Sequence, residues 1–87
     1  MSETNYNEME IERQALGCEV RSLYDLGKMY MDKADKADKA DDAVIADALR
    51  GKAETVRKEA KLRNEKLKVI EARRDQMLRD AAKSLAR

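Results

Sequence analysis

Proline, histidine, tryptophan and phenylalanine are absent from this chain of 87 residues, cysteine occurs once and glycine three times. Without histidine, the usual imidazole general base and a common zinc ligand are both missing. The lone Cys18 excludes an internal disulfide and any CxxC metal or redox pair. No glycine-rich phosphate cradle occurs, and the scarcity of large aromatics leaves little with which to build a mixed globular core. Charged residues interrupt every apolar run before it reaches the length of a membrane span. The segment MSETNYNEMEIE is acidic and has no apolar stretch, so it does not read as a secretory signal, and a cytoplasmic location is expected.

What is present favours helix. Alanine supplies thirteen of the apolar residues, whereas leucine, isoleucine and valine together number only fifteen. So few aliphatics suffice for a thin seam between helices but not for a globular core. Alanine, glutamate, lysine, arginine and leucine are all good helix formers. A net charge of only +1 also argues against disorder driven by self-repulsion.

The clearest periodicity runs from about Val56 to Leu85. Val56, Ala60, Arg63, Leu67, Ile70, Arg74, Met77 and Ala81 follow one another in alternating steps of four and three, which places them on one narrow helix face. Leu78 and Leu85 fall beside this stripe and broaden it, favouring a bundle over a long two-stranded coiled coil. Arg63 and Arg74 occupy stripe positions. Their stems can cover the seam with their heads in water, or their guanidinium groups can pair with an acidic first helix.

A second face is carried by Met9, Leu16, Val20, Leu23, Gly27, Tyr30, Ala34 and Ala37, interrupted by Arg13. Its helix is expected to start near residue 5, capped by Asn5 with Glu8 or by Asn7 with Glu10, behind a frayed lead-in. Gly27 lies on the stripe, marking either a close helix crossing or a local weakness. The KADKADKAD repeat can be helical through acid-before-base pairs, while its aspartates can cap a new helix. The reversal is therefore expected at 37–41, with a first helix at 5–36 and a second at 42–86; the alternative is one uninterrupted helix through the repeat. Gly51 is read as lying within the second helix. The predicted fold is all-α: an antiparallel helical hairpin with coiled-coil-like packing, expected to assemble into a dimeric bundle.

Charge is divided between the halves. Residues 1–48 hold twelve acids and six bases, and residues 49–87 hold six acids and thirteen bases. Such a division can orient two helices, attract a partner of complementary charge, or serve both ends.

The chemistry-bearing alternatives are thin. Cys18 has no histidine to activate it, Tyr24 and Tyr30 suit helix interfaces, and Glu8 with Glu12 define neither substrate nor water position. The KADKADKADD aspartates lack the glycine and terminal glutamate of a calcium loop. No catalytic, cofactor-binding or metal-binding residue is expected, so the chain is read as a non-enzymatic adaptor, assembly chaperone or inhibitor. Packing or protein contact is assigned to Leu16, Val20, Leu23, Gly27, Tyr30, Leu67, Ile70, Met77, Leu78 and Leu85. The competing reading is architectural or nonspecific nucleic-acid binding, with Arg57, Lys61, Arg63, Lys68 and Arg73 touching phosphates. It is weaker because acids intervene and no aromatic residue lies there to stack on bases. A protein partner and a homodimer are favoured, and a membrane partner is disfavoured.

Overall fold

The computed structural model describes residues 3–86, in which two helices run antiparallel. The first, α1, spans Glu3–Lys39, and the second, α2, spans Ala43–Leu85. At about 1.5 Å per residue α2 is roughly 65 Å long, and it sets the molecule's largest dimension of 69 Å.

The turn falls later than the sequence suggested, at residues 40–42, because the KADKAD repeat remains helical as far as Lys39. What stops α1 is a local hydrogen-bond motif. Asp41 adopts a left-handed backbone with φ 58°; its N–H donates to the Asp38 carbonyl at 3.0 Å, and the Asp42 N–H donates to the Ala37 carbonyl at 2.9 Å. These bonds satisfy carbonyls that the end of a helix otherwise leaves open. Asp42 then caps α2, its side chain accepting the Ile45 N–H at 3.2 Å. At the other end, α1 is already helical at Glu3, so Asn5 and Asn7 lie inside it and neither is its cap. Residues 1 and 2 of the expected lead-in lie outside the described residues. Gly51 sits within α2, and Thr55 Oγ1 donates to its carbonyl at 3.1 Å.

The seam is built from small side chains. Val20, Gly27 and Ala34 on α1, and Ala46, Ala53 and Ala60 on α2, recur every seven residues and are all buried. A seven-residue step returns a side chain to the same helix face, so each row forms a continuous strip along the contact. The larger Leu16, Leu23 and Tyr30, like Val56, Leu67 and Met77, alternate with them and are only half-buried. Apart from Ile70, the buried positions are therefore filled by small residues or valine, and among the described residues no large side chain is fully enclosed. At Gly27 the helices approach closely: a Cβ placed there would lie 3.8 Å from the Ala53 carbonyl oxygen and 3.5 Å from Arg57 Cγ. Those are ordinary van der Waals distances, so one methyl group fits.

Candidate interaction surface

Three arginines organise the polar borders of the seam. Arg50 bonds Asp38 and lies 3.7 Å from Asp35, so one α2 side chain holds the last turns of α1 beside the reversal. Midway, Arg63 reaches Glu19 of α1 at 3.0 Å and Glu59 of its own helix at 2.6 Å. Nearer the open end, Arg74 lies 3.9 Å from Glu10 and 3.3 Å from Asp75. Arg63 and Arg74 thus pair with the acidic first helix while their stems lie on the stripe. Among the described residues the buried Nε of Arg74 finds no hydrogen-bond partner.

Glu10 is the acid that these contacts change most clearly. The hydrogen bond from Arg13 holds its carboxyl below the ordinary value of 4.5 against the opposing effect of desolvation, and the charges of Arg13 and Arg74 act in the same direction as the bond. The Arg13 guanidinium is correspondingly raised, first by that same bond.

The assigned packing residues divide into two groups. Val20, Gly27 and Ile70 are buried, and Leu16, Leu23, Tyr30, Leu67 and Met77 are half-buried along the seam. Leu78 and Leu85 are 50% and 88% exposed. They belong to the last turns of α2, where every described residue from Leu78 to Ala86 is exposed. The first turn of α1 reaches the level of Met77 and Asp80, whose groove Asn5 also lines, and only the last turn of the longer α2 extends past it.

The five basic positions do not converge. Arg63 is engaged by two carboxylates, and Arg73 lines a groove with Glu8 and Glu12. Lys61 and Lys68 share one exposed row, but Glu54 and Asp75 continue that row on either side at the same seven-residue step. Arg57 packs its stem beside Gly27. The row is broken by acids where a phosphate backbone needs continuous positive charge.

Sequence reasoning missed Arg50, which stands beside the stripe and whose importance depends on the position of the turn. It also missed the exposed apolar row of Leu62 and Val69, for which a seven-residue step beside the main stripe was the available signal. Cys18 is exposed and free, at a shallow groove with Glu19, Ser22, Leu23 and Arg63. Among the described residues no three acidic or cysteine side chains gather as metal ligands, and no helix is long and apolar enough to cross a membrane. The chain matches no protein-family model, no curated protein and no solved structure.

Proposed function

We propose that this protein is a non-enzymatic binding module, an adaptor, assembly chaperone or inhibitor, that presents a helical surface to a protein partner. The observation that carries this reading is the exposed end of α2, where Leu78 beside the seam and Leu85 in the last turn meet water with basic Arg79 and Lys83 beside them. An amphipathic helix end of this kind offers apolar anchors with a polar rim, the arrangement that helix-in-groove recognition uses. A cytoplasmic setting suits a chain with one free thiol.

The test is capture by the immobilised full-length chain, wild type against a Leu78→Glu/Leu85→Glu variant of equal helicity. The expected result is a protein retained by the wild type and lost by the variant. Equal retention by both removes the α2 end from the function. Binding of a labelled duplex or single strand, falling steeply with salt, would instead support the nucleic-acid reading.

A further inference from the structure

Along one flank of the hairpin three shallow grooves open in line. Glu8 and Glu12 face Arg73 and Gln76 at the open end. Cys18 and Ser22 lie beside Arg63 midway, and Tyr30 lies beside Ala48 and Thr55 near the turn. Since seven-residue steps keep a side chain on its face, Leu62 and Val69 share the flank row of Thr55 and Gln76. Ala15 and Met29 share that of Glu8 and Ser22. Leu62 and Val69 are each 55% exposed and Met29 is 43% exposed.

This row is apolar at its centre, edged by Glu8, Glu12 and Glu19 on α1 and, on α2, by Lys66 and Arg73 between Glu59 and Asp80. It is also self-complementary in size and charge. The small Ala15 stands between the level of Glu12 with Ile70 and that of Cys18 with Arg63, which is the level of Leu62 and Val69. Met29 stands at the level of Ala48 and Thr55.

We propose that the same flank of a second copy covers this row, related by a two-fold axis along the length of the hairpin. The inference rests on the reading that the protein works by association. With that axis, each α1 lies antiparallel on the partner's α2 at its own level, Ala15 meets Leu62 and Val69, and Glu8 and Glu12 meet Lys66 and Arg73. An axis across the hairpin would lay like helices on each other. Charge selects the first arrangement. Helix α1 carries nine acids and six bases, and α2 carries twelve bases and seven acids, so like stacking sets −3 on −3 and +5 on +5. The product is an antiparallel four-helix bundle that encloses a second apolar layer and leaves the α2 ends open.

Two charge-reversed chains test the arrangement: Glu8→Lys/Glu12→Lys and Lys66→Glu/Arg73→Glu, weighed by light scattering at low salt with helicity followed by circular dichroism. The wild type is expected to be a dimer, each variant alone to dissociate at least tenfold more readily, and the equimolar mixture to regain the dimer mass. In a Cys18→Ser background, Ala15→Cys chains mixed with Leu62→Cys chains are expected to form a disulfide between the two kinds of chain. The inference is overturned by a wild type that stays monomeric across a dilution series, by variants that dimerise undiminished, or by Ala15→Cys chains that crosslink only with themselves. Loss of partner capture by the α2-end variant leaves this dimer intact, so the two readings fail separately.

Discussion

Arg63 of α2 and Glu19 of α1 meet at 3.0 Å across the middle of the hairpin, while Glu59, one turn earlier on α2, holds the same guanidinium at 2.6 Å. An arginine on an apolar stripe is thereby made compatible with the seam: its stem stays on the contact and its head binds at the border. Arg63→Ala is expected to lower the melting temperature more than Arg63→Met, which keeps a long apolar stem. If the ion pairs matter beyond that stem, the gap between wild type and Arg63→Met narrows as salt is raised. Thermal melts at two ionic strengths read both effects.

Gly27 is a position where the native residue is not the most stable choice. A methyl there meets Arg57 Cγ, the Ala53 oxygen and Val56 Cγ1 at 3.5 to 3.9 Å. Gly27→Ala is expected to stabilise the hairpin by about 1 kcal/mol through helix propensity alone. Gly27→Leu overfills the same space and is expected to destabilise it. Urea denaturation of the two variants gives opposite shifts of the midpoint.

At the turn, Asp41 pays for a left-handed backbone that glycine adopts freely. Asp41→Gly is expected to raise stability by up to roughly 1 kcal/mol. Asp42→Ala, which removes the acceptor for the Ile45 N–H, is expected to cost about 1 kcal/mol. The pair is read from melting temperatures under one set of conditions.

The lowered Glu10 carboxyl gives stability a defined pH dependence. A group more acidic when folded than when unfolded stabilises the fold above its ordinary value of 4.5, and that contribution is lost as pH falls through the lower folded value. Wild type is therefore expected to lose stability on acidification below 4.5 more steeply than Glu10→Gln. Denaturation midpoints followed from neutral to acid pH, with both chains in the same salt, test this directly.

The two apolar stripes were legible because the four-three alternation persists through charged interruptions, and Arg63 and Arg74 stay on it. The boundaries were less legible. KADKADKAD supports a helix and a cap with the same aspartates, and hydrogen bonds at Ala37 and Asp38, not composition, decide that α1 continues to Lys39. Asn5 and Asn7 resemble caps, yet an asparagine within a helix looks the same in sequence. Leu78 and Leu85 stand one position off the stripe that carries Leu67 and Met77, and that offset, together with the end of α1, leaves them exposed while Leu67 is half-buried. Leu62 and Val69 lay off the main stripe, so their row acquired meaning only once the grooves fixed which flank it shares.

The run of small residues has one more effect, on alignment. Because Val20, Gly27 and Ala34 and their counterparts Ala46, Ala53 and Ala60 repeat at one interval, sliding either helix by a heptad still lays small against small. Methyl groups alone are thus indifferent to slippage. Choice of the native alignment falls to the tight link at residues 40–42 and to the cross-helix arginines, which act as the detents of an otherwise smooth track.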